Sequence, residues 1–454
     1  MKENDRPSMS DRKASGNRHE SAAPRAREEP MAGERLRSDS ASTALLWERL
    51  LDRSNLQRAL KQVRQNKGAP GIDGMSVDEL PDFLRQNWPE IRSQLEAGQY
   101  RPQPVRRVRI PKADGRERLL GIPTVLDRFI QQAIAQVVSA QWEPHFHPRS
   151  YGFRPGRSAH QAVKRLQADI RAGGQWTVDL DLAAFFDRVN HDRLMNRLKR
   201  HVPDVQVLRL IGRFLTAGAM EQGQVTPTVA GVPQGGPLSP VLANVVLDEL
   251  DWELDRRGHR FVRYADDCQI LVRSQRAGER VMNSIKRFVE DSLRLEVNTR
   301  KSAVDRPWKR QFLGFTVTRG DHRLKVSPKA LARLKTRLRV LTRRTRGHRL
   351  ADVVADLRDY LLGWKAYFGR SEVPSPLREI DKWLRRRLRC YLWKQWGRSG
   401  YRQLRRLGVS VRDAWQMAKS AHGPWRLSHT PALSRALPAK YFTNMGLPSL
   451  VARE

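Results

Sequence analysis

The chain has little cysteine and no long apolar run. Its 454 residues include two cysteines, Cys268 and Cys390, which lie 122 positions apart. Such a pair excludes a disulfide framework and a Cys-x-x-Cys zinc site, and the eleven histidines show no ligand spacing that indicates zinc. No stretch of about 18 apolar residues is present to cross a membrane. We therefore expect a protein of the reducing cytoplasm with no zinc and no membrane span.

The first 42 residues lack aromatic side chains and contain very few large aliphatic ones. A segment that mixes Lys, Arg, Glu, Ser and Pro in this way cannot bury enough apolar surface to offset the entropy lost on ordering. It also has no continuous apolar core of the kind found in a signal peptide. Residues 1–42 are therefore predicted to be a disordered basic and polar leader.

Acidic residues are scarce relative to basic ones. The chain has 85 Lys and Arg against 48 Asp and Glu, which gives a formal net charge of +37. An excess of this size destabilises a compact state by self-repulsion unless a polyanion binds to it. Nucleic acid is the expected partner. The hydrophobic content of 39% indicates a folded protein, and the length is sufficient for two or three domains.

One stretch places two carboxylates side by side within this basic chain. Residues 261–272 predict a β-hairpin, because two apolar arms flank Ala265, Asp266 and Asp267, where a tight turn would fall. Side chains alternate along a strand, so both Asp side chains can reach one ion only where the backbone bends. A solvated acidic turn is the simpler interpretation of such a pair, and a metal site needs further support.

A second acidic strand is predicted 85 residues before the first Asp of this hairpin. Apolar and polar residues alternate from Trp176 to Leu182, which places Asp179 and Asp181 on the polar face. The alternation does not say which of the two binds a metal. An acidic strand and an acidic hairpin together fit a two-metal phosphoryl-transfer site, because Mg²⁺ requires hard oxygen ligands.

Several other segments carry basic residues beside turns. Residues 105–122 predict a basic hairpin with its turn at 112–116, which would bind a triphosphate or form a solvated face. The loop at 150–160 carries two Arg and two aromatic residues, a combination that suits a nucleic-acid strand. Before a long helix, Ser239 is predicted to be the N-cap, with Pro240 at the first helical position.

The composition changes from Ser327 onward to long basic helices. Apolar stripes at 331–341, 350–361 and 380–391 predict a compact helical bundle with a basic outer face. A merely solvated basic face is the alternative. The last segment, 396–454, is basic and rich in turns but has no readable motif.

These motifs resemble, in their order, those of bacterial group II intron-encoded reverse transcriptase/maturases. The resemblance rests on Tyr264-Ala265-Asp266-Asp267 joined to the segments 150–160, 231–244 and 312–315. It implies an α+β right-hand polymerase fold with a small antiparallel sheet. The implied domains are fingers and palm at 43–320, an α-helical thumb or maturase bundle at 325–395, and a small basic DNA-binding region at 396–454.

The resemblance also implies roles for individual residues. Asp181, Asp266 and Asp267 would hold two Mg²⁺ ions and form the catalytic site, with Asp179 in a supporting role. Phe186 would reject ribonucleotides by its bulk against the 2′-OH. The other nucleotide-binding residues implied are Lys112, Arg118, Gln234 and Lys301. The template-binding or RNA-binding residues expected are Arg154, Arg157, Arg333, Arg337, Arg343 and Arg344.

Two positions depart from the family pattern. Ala183-Ala184 stands where many members have Lys-Gly, and Leu119 stands where many have Pro. Neither position supplies a metal ligand, so activity is still expected. The two lone cysteines cannot form the optional C-terminal HNH endonuclease, and we therefore expect no cleavage of a second DNA strand.

The function implied is RNA-directed DNA synthesis by two-Mg²⁺ nucleotidyl transfer from dNTPs, together with assisted splicing and retrohoming of a group II intron. The expected partners are the intron RNA and a DNA target with its primer, and both a monomer and a dimer are possible. Three alternatives stay open: a splicing cofactor with an idle polymerase site, an RNA-dependent RNA polymerase, and a retron or diversity-generating reverse transcriptase.

Overall fold

A computed structural model describes residues 46–111, 117–221 and 223–451. The predicted leader and Lys112 lie outside these ranges. Within the described part of the chain, no helix combines the length and the apolar character that crossing a membrane requires. The architecture is α+β, with small sheets in the first two thirds and helices afterwards.

The strands of the described ranges form three small sheets. Their orders are β2-β1-β4-β5, β6-β7-β3-β8 and β10-β9. The strands are β1 (Val105–Pro111), β2 (Glu117–Ile122), β3 (Trp176–Leu180), β4 (Ala219–Glu221), β5 (Gln224–Thr226), β6 (Arg260–Tyr264), β7 (Asp267–Val272), β8 (Ala303–Asp305), β9 (Phe315–Val317) and β10 (Leu324–Val326).

Helices surround the sheets and make up the C-terminal third. Those before residue 300 are Arg53–Asn66, Leu80–Glu96, Val125–Trp142, Ala159–Arg171, Phe185–Arg188, His191–Leu198, Val205–Thr216, Ser239–Arg256 and Gln275–Arg287. Those after it are Pro328–Leu341, Leu350–Phe368, Ser375–Trp396, Gly400–Arg406, Val411–Lys419, Pro424–Leu427, Pro431–Ala436 and Ala439–Asn444.

The sheet β6-β7-β3-β8 brings the two acidic segments to one edge. Strand β7 pairs antiparallel with β6 on one side and with β3 on the other, so that Cys268 lies opposite both Arg263 and Leu180. The beginning of β7 therefore lies beside the end of β3. Both faces of the sheet are covered, because Ile270 packs into the main core and Leu271 into a small cluster on the other side.

Two hydrophobic cores organise the described chain. One contains buried residues from Leu46 to Val297, and the other contains buried residues from Val326 to Leu450. The three apolar stripes predicted after Ser327 lie on three helices that share the second core. The short helices after residue 400 pack into that same core through Leu404, Leu433 and Phe442. They are thus joined to the bundle by apolar contacts.

An aromatic cluster connects the two parts. The Tyr367 hydroxyl donates a hydrogen bond to the carbonyl oxygen of Leu313 at 3.0 Å. The ring of Phe315 lies 5.7 Å from that of Tyr367 and 5.2 Å from that of Phe368. On the other side, the Nε2 of His160 is 2.7 Å from the carbonyl oxygen of Tyr367. The turn at 312–315 is therefore clamped between the sheets and the bundle.

The N-cap predicted at Ser239 is wrong by one position. The helix begins at Ser239 itself and is preceded by Leu238, which makes no side-chain cap. The Ser239 hydroxyl instead donates to the carbonyl oxygen of Pro233 at 2.6 Å. The preceding loop folds back so that the Pro233 carbonyl oxygen lies beside the Ser239 hydroxyl. A local sequence pattern does not predict such a contact.

Candidate active site

The acidic hairpin forms as predicted, with Ala265 and Asp266 between β6 and β7. Tyr264 pairs with Asp267 across the turn. Ala265 has a φ of 55°, in the left-handed region that is unfavourable for residues with a Cβ. The turn therefore needs support from its surroundings.

Arg263, on β6, supplies much of that support. Its side chain is fully buried and donates to Asp251 through Nε at 2.7 Å and Nη2 at 2.5 Å. Its Nη1 donates to Asn244 Oδ1 at 3.0 Å and to the carbonyl oxygen of Ala265 at 2.9 Å. One guanidinium thus connects a helix, a strand and the strained residue of the turn.

Arg263 is not among the residues predicted from the sequence, although the sequence contains a signal for its ion pair. Asp248 and Asp251 lie within the apolar stripe of the helix Ser239–Arg256, and both are buried. A buried carboxylate requires a cation or several donors, so each of them predicts a buried partner. Arg197 is the partner of Asp248 at 2.8 Å, and Arg263 is the partner of Asp251. The pattern alone does not say which arginine meets which carboxylate.

Asp181 follows β3 directly and is half-exposed. Its carboxylate accepts hydrogen bonds from Asn298 Nδ2 at 3.1 Å and from Lys301 Nζ at 3.2 Å. Its backbone N–H donates to the Ser302 hydroxyl oxygen at 3.0 Å. The segment 298–302 therefore holds Asp181 in position, and it brings the predicted nucleotide-binding residue Lys301 to the acidic cluster.

Asp179 is occupied by other partners. Arg310 forms an ion pair with one of its carboxylate oxygens, and Gln269 Nε2 donates to the other at 2.5 Å. Gln269 is in turn held by the Thr177 hydroxyl at 2.8 Å. With both oxygens engaged, this carboxylate is suited to a supporting role.

Burial, and after it the neighbouring Asp179, Asp266 and Asp181, raises the pKa of Asp267 to about 8. Repulsion of this kind requires the carboxylates to lie close together. Within the described ranges, no group of three His, Cys, Asp or Glu side chains is arranged to hold a metal ion as it stands. The donor chemistry nevertheless fits Mg²⁺, because the cluster offers hard oxygen atoms whose mutual repulsion a divalent cation would relieve.

A cavity of about 110 Å³ contains two of the predicted nucleotide-binding residues, Phe186 and Gln234. The backbone explains why they meet: Val232 N–H donates to the carbonyl oxygen of Phe186 at 2.6 Å, and Gly121 N–H donates to that of Gln234 at 2.8 Å. Leu119, one of the positions that depart from the family pattern, also lines this cavity. Arg118 is exposed on β2.

Arg154, for which a template-binding role is predicted, lies in the protein interior. This residue is buried and forms an ion pair with Glu143 at 2.8 Å. It also donates to the carbonyl oxygens of His147 at 2.6 Å and Ser150 at 2.9 Å. Its guanidinium therefore holds the loop together and is withdrawn from solvent.

The other predicted RNA-binding residues lie at or near the surface. Arg157 is half-buried, with its guanidinium 5.5 Å from the centre of the Tyr151 ring. Arg333 and Arg337 are exposed on the helix Pro328–Leu341, while Arg343 and Arg344 are exposed just after it. Phe153, for which the sequence predicts no individual role, is 52% exposed and lies 6.2 Å from the Tyr264 ring.

Comparison with known proteins agrees with this geometry. Residues 110–317 match the family described as reverse transcriptase (RNA-dependent DNA polymerase), and residues 331–408 match the group II intron maturase-specific domain. The chain is 32% identical over 289 residues to Protein YkfC of Escherichia coli (strain K12), a match that covers 55% of this chain and 76% of YkfC. The chain belongs to the reverse transcriptases that carry a group II intron maturase domain.

Two further matches differ in how much of each chain they cover. This reverse transcriptase is 39% identical over 194 residues to the group II intron-encoded protein LtrA of Lactococcus lactis subsp. cremoris, across 42% of this chain but 32% of LtrA. A solved telomerase chain from Candida albicans is 12% identical, with a TM-score of 0.42, and the match covers 67% of this chain and 62% of that chain. The maturase-domain match favours the group II type over the retron and diversity-generating alternatives.

Replacement of Arg263 by Met is expected to lower the free energy of unfolding by about 3–5 kcal/mol, because it leaves Asp251 buried without its cation. The double variant Arg263→Met/Asp251→Leu is expected to recover much of that loss, since neither charge then remains. Primer extension should stay impaired in the double variant, because no side chain holds the Ala265 carbonyl. Urea unfolding and steady-state extension measure the two effects.

Arg260→Met on the same strand is the matched control, because Arg260 is exposed. Its effect on the free energy of unfolding should stay within about 0.5 kcal/mol. Full extension activity in the stable double variant would show that Arg263 does not position the hairpin.

The departure at Ala184 leads to a separate prediction. Ala184 has a φ of 47°, and a left-handed conformation costs a residue with a Cβ about 1–2 kcal/mol. Ala184→Gly is therefore expected to raise the free energy of unfolding by roughly 0.5–1 kcal/mol. Ala183→Gly, at a position without positive φ, should lower it by about the same amount. Equal decreases in the free energy of unfolding of the two variants, measured by denaturant unfolding, would contradict this account.

Proposed function

We propose that this reverse transcriptase binds a group II intron RNA, assists its splicing and copies it into DNA by two-Mg²⁺ nucleotidyl transfer during retrohoming. The observation that carries the proposal is that Asp181, Asp266 and Asp267 lie at neighbouring ends of the paired strands β3 and β7, in a chain that also carries a maturase domain. The similarity to a group II intron-encoded protein, LtrA, across 32% of that protein's length also supports the proposal.

Asp181, Asp266 and Asp267 are the proposed catalytic residues and would hold the metal. When bound, two Mg²⁺ ions would neutralise the charge that develops on the attacking and leaving oxygens. The chain itself provides the acidic cluster, whose carboxylates are kept in place by the Arg263 network and the segment 298–302. Lys301, 3.2 Å from Asp181, lies within reach of a triphosphate at this site, where it would donate a proton to the leaving pyrophosphate.

The cavity lined by Phe186 and Gln234 is the proposed nucleotide site. Phe186 would select against the 2′-OH by bulk, and Gln234 would contact the incoming dNTP in the same cavity. Arg118 and Lys112 would bind the triphosphate. Lys112 lies outside the described residues, and Arg118 is exposed on the strand that leads back into the cavity.

The domain organisation proposed is fingers and palm at 43–320, a thumb or maturase bundle at 325–395, and a basic DNA-binding region at 396–454. The two hydrophobic cores support the division near residue 325. Exposed Arg402, Arg406 and Trp415 support contact of the last region with a DNA target and its primer. Arg157, Arg333, Arg337, Arg343 and Arg344 are the proposed RNA-binding residues, and a cytoplasmic location follows from these partners.

Asp266→Asn is expected to lower Mg²⁺-dependent primer extension on an RNA template by at least a hundredfold, since the variant loses one of the proposed ligand carboxylates. Intron splicing measured in parallel should persist, because the chemistry of splicing resides in the RNA. Comparison of dNTP and rNTP incorporation by the unmodified chain tests the role of Phe186, and a preference for rNTPs would contradict it.

Asp291→Asn is the matched control for this change, because Asp291 is an exposed carboxylate outside the cluster. It should extend primers at the rate of the unmodified chain. Normal DNA synthesis by Asp266→Asn would remove Asp266 from the catalytic site.

The raised pKa of Asp267 predicts a pH dependence of Mg²⁺ binding. Below about pH 8 this carboxyl group is mostly protonated, and binding must release its proton. Mg²⁺ affinity is expected to rise by up to about tenfold per pH unit from pH 6.5 and to level off above pH 8. Titration calorimetry at pH 6.5, 7.5 and 8.5 measures this, and equal affinities would contradict it.

Without Mg²⁺, the same group should make the folded state less stable as pH rises from about 4 to 8. Above about pH 3.8 the unfolded chain has released this proton, whereas the native protein keeps it up to about pH 8. Folding must then take up a proton, and the free-energy cost of that uptake grows as pH rises. Asp267→Asn should reduce this slope of the free energy of unfolding.

A further inference from the structure

A second cavity, of about 440 Å³, lies in the helical bundle, far along the chain from the catalytic hairpin. It lies between the end of the helix Pro328–Leu341, the helix Ser375–Trp396 and Trp425. Six of its eight lining residues are Arg or Trp, and the other two are Thr342 and Cys390. The side chains that matter for the argument are Arg339, Arg343, Arg344, Trp383, Arg387 and Trp425.

The positive charge of this cavity is uncompensated. No Asp or Glu lines it. Across residues 46–111, 117–221 and 223–451, no carboxylate forms an ion pair with any of its four arginines, although their neighbour Arg346 pairs with Asp356 at 3.1 Å. Four guanidinium groups around one cavity repel each other unless an anion joins them. An anion that entered the cavity would relieve this repulsion.

Uncharged partners hold these arginines in place. Arg387 Nε donates to the Thr342 hydroxyl oxygen at 2.6 Å, and its Nη2 lies 3.4 Å from the carbonyl oxygen of Arg339. The guanidinium groups of Arg387 and Arg339 lie 5.2 Å and 5.7 Å from the centre of the Trp383 ring. Burial, with smaller contributions from Arg339 and Arg344, lowers the pKa of Arg387. Arginine binds phosphate through paired, charge-assisted hydrogen bonds, so guanidinium groups held in place without an anion suit a phosphate group.

Trp425 closes the cavity from a different part of the chain. It lies beyond the matched maturase segment, which ends at residue 408, and is 39% exposed. Arg386 holds it: its guanidinium lies 4.1 Å from the centre of the ring, and its Nη2 donates to the Trp425 carbonyl oxygen at 3.2 Å. An exposed indole beside phosphate-binding arginines offers a surface on which one base can stack.

We propose that this cavity binds one unpaired nucleotide of an RNA strand, with its phosphate on the arginines and its base against Trp425. A volume near 440 Å³ accommodates a nucleotide-sized ligand and not a duplex. The choice of RNA rests on the proposed function, since most of the lining belongs to the segment that matches the group II intron maturase domain.

The first experiment measures binding of a labelled 12-nucleotide oligouridylate to the full chain by fluorescence anisotropy at several salt concentrations. Arg339→Gln/Arg343→Gln is expected to weaken binding at least tenfold and to reduce the salt slope by about two. The control Lys329→Gln/Lys335→Gln removes the same charge from exposed positions of the same helix. It should weaken binding less than threefold.

The second experiment tests the aromatic contact. Trp425→Ala is expected to weaken binding about tenfold without a change in salt slope, because it removes stacking and no charge. Trp425→Phe should retain most of the affinity. Trp252→Ala is the matched control, since Trp252 is 47% exposed but does not line the cavity. Thermal unfolding of each variant establishes that it is folded.

Several outcomes would overturn the proposal. Equal losses in the cavity variants and their controls would show a non-specific basic surface. Tighter binding of an RNA duplex, or of a DNA oligomer of matching sequence, with the same sensitivity to Arg339→Gln/Arg343→Gln would assign the cavity to another ligand. Primer extension by the unmodified chain, run in parallel, separates the two proposals. If the chain does not extend primers, the polymerase assignment is wrong. If folded cavity variants bind RNA as tightly as the unmodified chain, the nucleotide site is wrong.

Discussion

The buried ion pair between Arg263 and Asp251 is the interaction on which the catalytic region depends. An ion pair in a protein interior persists only where hydrogen bonds compensate for the lost hydration. Here Asp251, Asn244 and the Ala265 carbonyl oxygen together satisfy the guanidinium. Because these partners lie on a helix and at the turn, the pair fixes the position of the hairpin relative to the helix. The position of Asp266 and Asp267 follows from that contact.

The molecule separates charge into two regions, each of which is incomplete without a ligand. Carboxylates crowd at the edge of the sheet, where their proximity helps to raise the pKa of Asp267. Arginines crowd in the bundle, where the described chain offers them no acidic partner. We have proposed that the first region binds a divalent cation and the second a phosphate group of RNA, and an RNA-copying enzyme encounters both ligands.

Much of the fold follows from local patterns, and the exceptions share one cause. The acidic hairpin, the basic hairpin and the three basic helices follow from alternation and apolar stripes. Arg154 and Ser239 differ from expectation because each side chain bonds to backbone that a folded loop brings back to it. The role of Arg263 is not predictable from local patterns for the related reason that its partner lies on another element. Periodicity reports which face is buried but not which residue lies opposite.

The sequence by itself determined the chemistry: the number and type of carboxylates, the basic surfaces, and the order of motifs that indicates the family. Composition and spacing along the chain suffice for these, because they are properties of the residues themselves. Only the tertiary structure decided which groups meet. Strand β7 lies between β6 and β3, and this pairing, made across about 90 residues of intervening chain, brings Asp267 to the end of the strand that Asp181 follows. The folding of the loop at 150–160 likewise took Arg154 into the interior.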